Sequence, residues 1–108
     1  MTAERDVVTY FDKKVKELGG ETRKLAYEGR NGATDKLVLL PGYHCVVELK
    51  RPGKDARINQ AREHDRLRAA GFDVFVITTL DGVDEWYWSR RVRMDMETGT
   101  RWTPPTLG

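Results

Sequence analysis

Apolar residues recur at helical spacing near the start of the chain. The residues of this stripe are Val7, Val8, Phe11, Val15 and Leu18. The spacing predicts an amphipathic helix, and Gly19 followed by Gly20 predicts its end. Glu4 precedes Phe11 by two helical turns and projects from the same side as the stripe. We therefore expect an acid on the core side of this helix, where it needs a partner.

Two runs of β-favouring residues, KLVLL and HCVVELK, flank the segment PGY. A Pro-Gly pair between such runs predicts a tight turn and an antiparallel hairpin. If Leu40 pairs with Tyr43 across a two-residue turn, the register places Asp35 directly opposite Glu48. The hairpin therefore brings two acids face to face.

Two further elements follow the hairpin. The segment ARINQAREHDRLRAA comes after Pro52 and Gly53, which break the strand, and it predicts a second helix that ends at Gly71. The run FDVFVIT has little polar alternation, which predicts a strand buried on both faces. Strand, helix and strand in this order form a right-handed crossover, so the last two strands should be parallel. With a short strand in ETRKLAY, the predicted sheet is mixed.

The C-terminal part of the chain has a weaker pattern. RVRMDM and TRWT lie on either side of ETG, which predicts a second hairpin, and TPPTLG is expected to fray. The run WYWSRRVR interleaves aromatic side chains with arginines, an arrangement that can stack on bases. Trp86, Tyr87 and Trp88 are more typical of a core or a dimer interface, and we favour the interface.

The composition indicates one soluble domain, residues 1–108, because a chain of 12.4 kDa supports a single hydrophobic core. Its apolar runs are too short to cross a bilayer and the start MTAERD lacks a signal-peptide pattern, so we expect a cytoplasmic protein and no membrane partner. One cysteine and two histidines argue against an intramolecular disulfide and a structural zinc site. The net charge of +2 permits a nucleic-acid partner without requiring one.

The opposed acids are the main candidates for chemistry. Side chains alternate along a strand, so Glu48 and Lys50 point to one side and Leu49 to the other. Acids opposed across a hairpin have Cβ atoms roughly 4.5 to 5.5 Å apart and repel each other. A divalent cation reverses that repulsion, and Mg²⁺ takes carboxylate oxygens and main-chain carbonyls such as that of Leu49. With Lys50 offsetting phosphate charge, the set suits phosphodiester hydrolysis.

Each of these features also has an ordinary structural explanation. A Glu-x-Lys triplet on an exposed strand is commonly a solvated face, and an aspartate after a Gly-rich loop is often only a turn residue. The predicted loop, the hairpin register and the following helix nevertheless place Asp35, Glu48 and Lys50 at one edge of the sheet. This convergence favours a functional site.

The segment GRNGATD, followed by VVELKRPGKDARINQAREHDRLRAAGFDVFVI, resembles the VRR-NUC domain, the virus-type replication and repair nuclease domain. This family, whose phage and bacterial members can stand alone, is a branch of the PD-(D/E)xK nuclease superfamily. The resemblance covers roughly residues 4–85 and leaves residues 86–108 as a C-terminal extension. It implies an α/β fold with a restriction-endonuclease-like core, in which α-helices flank a central mixed β-sheet.

The resemblance also implies roles for individual residues. Asp35 and Glu48 would bind Mg²⁺ or Mn²⁺ together with the Leu49 carbonyl, and Lys50 would be the catalytic lysine. One departure is Thr34, where the family commonly has proline, a residue that would only shape the backbone.

Two positions outside the hairpin match the family as catalytic residues. Glu4 matches its N-terminal acid, which could contact water at the metal, and Gln60 matches a glutamine that supports the site or contacts a phosphate. Glu4 could equally complement the helix dipole, and Gln60 could lie at the margin of a packing face. One turn after Gln60, His64 is better explained as structural than as catalytic.

Three basic residues, Lys24, Arg30 and Arg57, are candidates for DNA contacts. Lys24 and Arg30 are close in sequence to the predicted site and could hold flanking phosphates, although ordinary surface charge explains them as well. The second helix supplies four arginines, which are spread around its circumference so that at most two of them can meet one DNA backbone: Arg57, Arg62, Arg66 and Arg68.

The function that this sequence favours is that of a metal-dependent DNA endonuclease. By analogy with stand-alone members of the family, it would act as a homodimer on four-way junctions in DNA repair or recombination. The alternatives are a duplex-cutting or flap-cutting nuclease of the same fold, and a non-catalytic DNA-binding or assembly module. The opposed acids argue against the module, because they repel the phosphates that it would have to approach.

Overall fold

The computed structural model describes residues 4–25, 35–50 and 58–98, which form three helices and one four-stranded sheet. The elements in chain order are α1 (Glu4–Glu17), β1 (Glu21–Lys24), β2 (Asp35–Leu40), β3 (Tyr43–Leu49), α2 (Ile58–Ala69), β4 (Asp73–Ile77) and α3 (Leu80–Thr98). The predicted α/β class, with helices flanking a central sheet, is confirmed.

The sheet has the strand order β1-β2-β3-β4 and is mixed, as predicted. β2 pairs with β1 and with β3 in antiparallel fashion, while β3 and β4 are parallel. In the β2–β3 hairpin Leu40 pairs with Tyr43, and the same register places Asp35 opposite Glu48. The two-residue turn predicted from the Pro-Gly pair therefore gave the correct pairing of the two acids.

The two faces of the sheet differ in what covers them. α1 packs against α3, β1 and β3, and the main hydrophobic core lies on that face. Its buried members are Val7, Phe11, Val15, Leu18, Val38, Leu40, Cys45, Val47, Leu49, Ile77, Val83, Trp86 and Tyr87. α2 packs against β4, and its His64 contacts the first residue of β2. Because side chains alternate along β3, Val46, Glu48 and Lys50 point away from the main core and toward α2.

Two glycines end helices as predicted. Gly19 follows α1 with a φ of +80°, and Gly71 follows α2 with a φ of +102°. Residues with a Cβ rarely adopt this left-handed backbone conformation, which is why glycine is favoured after the last helical turn. The sequence therefore predicted both helix ends correctly.

The prediction that the FDVFVIT strand is buried on both faces is wrong. β4 is the last strand of the sheet that the described residues form, and Val76, the fourth of its five residues, is 47% exposed. β3 is the strand with both faces covered, since residues 45–49 are all buried. An apolar run shows that a segment suits a strand, whereas its position in the sheet depends on partners that the run does not identify.

The predicted second hairpin near the C-terminus is also wrong over the described residues. RVRMDMET belongs to α3, a helix of 19 residues that also contains residues 85 and 86, where the family resemblance ends. The Thr79 Oγ1 accepts a hydrogen bond of 2.9 Å from the Gly82 N–H at the start of the helix, and the Trp86 ring packs on Phe11 with a centroid distance of 4.8 Å. Packing of Trp86 and Tyr87 on α1 outweighs the weak β-pattern. TRWT lies outside the described residues.

None of the helices in residues 4–25, 35–50 and 58–98 combines the length and the apolar character that a membrane crossing requires.

Replacement of Trp86 by alanine tests the packing of α3. Trp86 is 5% exposed and contacts Phe11, so we expect Trp86→Ala to lower the free energy of unfolding by about 3–5 kcal/mol. The matched control is Phe72→Ala, because Phe72 is an aromatic residue outside α3 that is 38% exposed, and its loss should cost about 1 kcal/mol or less. Urea unfolding followed by far-UV circular dichroism measures both variants. Equal losses would contradict the inward orientation of Trp86.

Cys45 should resist thiol reagents in the folded protein. Its side chain is fully buried in β3, and burial raises the pKa of the thiol to about 12 from an ordinary value of 9.0. The thiol therefore stays protonated in the fold at neutral pH, and its protonation stabilises the fold up to about pH 9 and less at higher pH. We expect slow modification by a disulfide reagent in buffer and rapid modification in urea. Rapid reaction of the folded protein would contradict this burial.

Candidate active site on the α2 face of the sheet

Two carboxylates lie at the centre of the candidate site. Asp35 begins β2, Glu48 is the penultimate residue of β3, and the hairpin register places them directly opposite each other. Both side chains have an exposed fraction of 0%. Like charges opposed across a strand pair destabilise a sheet, and burial weakens the screening that water would supply. This arrangement therefore needs nearby positive charge.

Lys50 supplies one positive charge. Its Nζ lies 3.0 Å from the Glu48 Oε1, and the residue is 8% exposed. The main-chain N–H of Lys50 donates a hydrogen bond of 3.0 Å to the carbonyl of Ile77, which continues the β3–β4 pairing one residue beyond β3. Backbone pairing with a neighbouring strand thus positions the lysine beside the acids.

Leu49 lies between Glu48 and Lys50 but faces the opposite way. Its side chain is fully buried in the main core under α1 and α3. Only the main chain of Leu49 is therefore available to the acidic site, and the predicted metal contact of its carbonyl stays a prediction.

His64 completes the group. The sequence favours a structural role for this histidine, but the structure places its Nε2 3.0 Å from the Asp35 Oδ2 and 3.5 Å from the Glu48 Oε2. The imidazole is 3% exposed. It comes from α2, the helix that connects β3 to β4. The available signal was its spacing of four residues after Gln60, which places both on one face of α2.

The geometry of Glu48 indicates a missing interaction. Both of its carboxylate oxygens are buried, and within the described part of the chain neither has a hydrogen bond of normal geometry. The Lys50 ammonium is at contact distance from Oε1, but its direction is outside hydrogen-bonding geometry. Buried carboxylate oxygens left in this state cost free energy, and a cation that coordinates them removes the cost.

The residues present fit a divalent metal ion. One carboxylate oxygen of Asp35, one of Glu48 and a ring nitrogen of His64 all lie within 4.8 Å of one another. Two acids and one imidazole are a common donor set for divalent ions in proteins. Asp35, Glu48 and His64 are therefore the described residues that could hold such an ion.

Four other predicted site residues cannot be placed in full. Glu4 is the first residue of α1, and Gln60 lies in α2 one turn before His64, but both side chains lie outside the described part of the structure. Arg30 and Arg57 lie outside the described residues altogether. The predicted roles of these four residues stay predictions.

Lys24 is described, and it lies on the other face of the sheet. It is the last residue of β1 and pairs with Lys36, whose Nζ lies 2.8 Å from the Asp12 Oδ2 of α1. Paired residues on neighbouring strands point to the same face, so the exposed side chain of Lys24 projects toward the α1 side, away from Asp35. This placement gives no support to a phosphate contact beside the acids, and the predicted DNA contact of Lys24 stays a prediction.

Comparison with known proteins finds relatives that include the following two. The chain is 38% identical over 79 residues to "Putative nuclease p44" of Acyrthosiphon pisum secondary endosymbiont phage 1, a match that covers 72% of this chain and 85% of the phage protein. A solved structure described as "VRR_NUC domain" is 42% identical, with a TM-score of 0.70, over 79% of this chain and 94% of that one. No family model matches the sequence. The identity and the coverage of these two relatives show that the chain belongs to the VRR_NUC family of nucleases.

Proposed function

We propose that the protein is a divalent-metal-dependent endonuclease that hydrolyses phosphodiester bonds of DNA at the Asp35, Glu48 and Lys50 cluster. The observation that carries this function is the opposition of two fully buried acids with a lysine 3.0 Å from one of them. A sheet with a purely structural role gains nothing from such a pair. A site that binds a cation and a phosphate needs both the acids and the lysine.

The proposed metal ligands are Asp35, Glu48 and the main-chain carbonyl of Leu49, with Mg²⁺ or Mn²⁺ as the ion. The orphaned oxygens of Glu48 support this assignment, because carboxylate oxygens are the preferred ligands of both ions. When bound, the ion supplies Lewis-acid polarisation of the phosphate and lowers the pKa of water that attacks phosphorus.

Lys50 is the proposed partner of the phosphate. Its ammonium can donate to a phosphate oxygen and stabilise the negative charge that grows as the attacking water approaches phosphorus. Its hydrogen bond to Ile77 and its contact with Glu48 hold it in place before the substrate arrives. Such preorganisation lowers the reorganisation needed during the reaction.

The remaining predicted residues extend the site outward. We assign Glu4 and Gln60 to the support of the attacking water and the scissile phosphate, and Arg30 and Arg57 to flanking phosphates. A residue that contacts only phosphate affects affinity for all sequences alike. Replacing either of these arginines should therefore weaken binding without changing where the DNA is cut.

The proposed substrate is branched DNA, with the four-way junction preferred, and the proposed active form is a homodimer. An exposed apolar stripe on α3 supports a protein contact, since Trp88, Val92 and Met96 recur every four residues and are 41%, 49% and 75% exposed. Two active sites related by a two-fold axis suit paired incisions in a symmetric junction. The cytoplasm of a bacterial host is the compartment in which such DNA would be met.

Metal binding should raise the melting temperature. An ion present at about 100 times its dissociation constant stabilises the fold by about 2.7 kcal/mol, so thermal unfolding with Mg²⁺ or Mn²⁺ should shift upward by several degrees. Asp35→Asn and Glu48→Gln should lose most of this shift, because each removes a charged ligand. The matched control is Asp12→Asn, since Asp12 pairs with Lys36 on the opposite face of the sheet and should leave the shift intact. A full shift in both site variants would contradict the metal site.

Cleavage of a DNA panel tests the activity. Labelled four-way, flap, duplex and single-stranded DNA should be cut with Mg²⁺ or Mn²⁺ but not with EDTA, and the four-way junction should receive paired nicks. Lys50→Ala should lower the cleavage rate by about 100-fold or more, as expected for the loss of a charge-stabilising donor. Lys16→Ala, an exposed lysine of α1, should cut normally. Preferred cutting of flaps or duplex would replace the junction as substrate, while binding without any cleavage would favour a non-catalytic module.

A further inference from the structure

The imidazole of His64 occupies an unusual position between two buried acids. Its Nε2 is 3.0 Å from an oxygen of Asp35 and 3.5 Å from an oxygen of Glu48. All three side chains are at least 97% buried, since His64 is 3% exposed and both acids are 0% exposed. The histidine therefore faces the same small volume as both carboxylates.

These separations match those of ligands on one ion. In an octahedral site with metal–ligand distances of about 2.0–2.1 Å, adjacent ligand atoms lie about 3 Å apart. The Nε2 is at 3.0 and 3.5 Å from the two oxygens, so the imidazole already suits a ligand position adjacent to each acid, while the three ligand atoms lie within 4.8 Å of one another. An ion between the three side chains would leave the imidazole near its present place and draw the two carboxylate oxygens toward each other.

The position of α2 also favours this role. One helical turn after His64, the Arg68 guanidinium donates a hydrogen bond of 3.1 Å to the carbonyl of Val74 and ties α2 to β4. β4 pairs in turn with β3, which carries Glu48. The histidine and the acid are therefore held by the Arg68 side chain and the β3–β4 backbone pairing in turn, as a preorganised ligand set requires.

Glu48 provides the independent observation. Its two oxygens are buried without a hydrogen bond of normal geometry from any described residue, and one of them faces the imidazole at 3.5 Å. The Nε2 carries at most one hydrogen and lies at hydrogen-bonding distance, 3.0 Å, from the Asp35 Oδ2, so the imidazole leaves this Glu48 oxygen unsatisfied. The separation of 3.5 Å between the Nε2 and the Glu48 Oε2 is too long for a good hydrogen bond, whereas it suits two ligands of a common ion.

On the basis of the proposed function, we propose that His64 is a direct ligand of the ion held by Asp35 and Glu48, and that its nitrogen makes the site prefer a first-row transition ion such as Mn²⁺ over Mg²⁺. Imidazole suits transition ions, whereas Mg²⁺ favours a shell of oxygens and water. An all-oxygen site built from Asp35, Glu48 and a main-chain carbonyl would lack this preference. His64 is thus a specificity-determining residue for the metal.

Pulsed electron paramagnetic resonance on the Mn²⁺-loaded protein tests the ligand directly. A coordinated imidazole produces nitrogen modulation of the Mn²⁺ electron spin echo, and the chain contains only two histidines, His44 and His64. We expect this modulation in the native protein and a changed pattern after selective labelling of histidine with ¹⁵N. The modulation should persist in His44→Gln, because His44 is exposed, and disappear in His64→Gln.

Calorimetric titration tests the metal preference. We expect His64→Gln to weaken Mn²⁺ binding by about ten-fold or more and Mg²⁺ binding by less, since losing a direct ligand should cost at least the lower end of the roughly 10–100-fold typical of supporting residues. His44→Gln should leave both affinities unchanged. A thermal melt of each variant checks that it folds, and the ¹⁵N experiment on the native protein decides the ligand even if His64→Gln does not fold.

The outcomes separate this inference from the proposed function. Bound Mn²⁺ without histidine modulation, in a protein that still cuts DNA, would overturn the role of His64 and leave the nuclease intact. Histidine modulation in a protein that cuts no DNA would establish the ligand and overturn the nuclease. A ratio of Mn²⁺ to Mg²⁺ affinity that is unchanged in His64→Gln would overturn the preference, and no Mn²⁺ binding at all would overturn both.

Discussion

The opposition of Asp35 and Glu48 across the β2–β3 hairpin is the constraint on which the functional part of this fold depends. Both acids are fully buried, and removing two like charges from water is unfavourable by several kcal/mol for each ion unless partners compensate. The surrounding elements supply those partners. The strand that carries Glu48 continues to Lys50, and the crossover helix carries His64. The site is thus built by placing Lys50 and His64 around a pair that the hairpin brings together.

One face of the sheet carries the hydrophobic core, and the other carries the charged site. The face under α1 and α3 holds nearly all of the buried apolar side chains, including the contact between Phe11 and Trp86. That core can stabilise a sheet whose other face carries charge, because hydrophobic burial on one face offsets the electrostatic cost on the other. β3 links the two, since Leu49 packs into the core while its neighbours Glu48 and Lys50 line the site.

The stable core on one face of the sheet also explains how the other face can keep a site with unsatisfied polar groups. Among the described residues, none gives the buried oxygens of Glu48 a hydrogen bond of normal geometry, so the proposed ion would supply the interaction that these oxygens lack. Functional sites commonly retain such buried polar groups without hydrogen bonds, although they lower stability. Selection for stability alone would replace them. Membership in the VRR_NUC family of nucleases is consistent with a site of this kind.

The sequence by itself determined the elements whose signals are local. Helical spacing predicted α1, the Pro-Gly turn predicted the register that pairs Asp35 with Glu48, and the strand-helix-strand order predicted the parallel β3–β4 pair. Only the tertiary structure decided that Val76 lies on an edge strand, that α3 is a helix, and that His64 reaches the acids. Each of these depends on contacts between elements distant in the chain, because strand order, burial of Trp86 and the approach of α2 are set by packing and leave no local pattern.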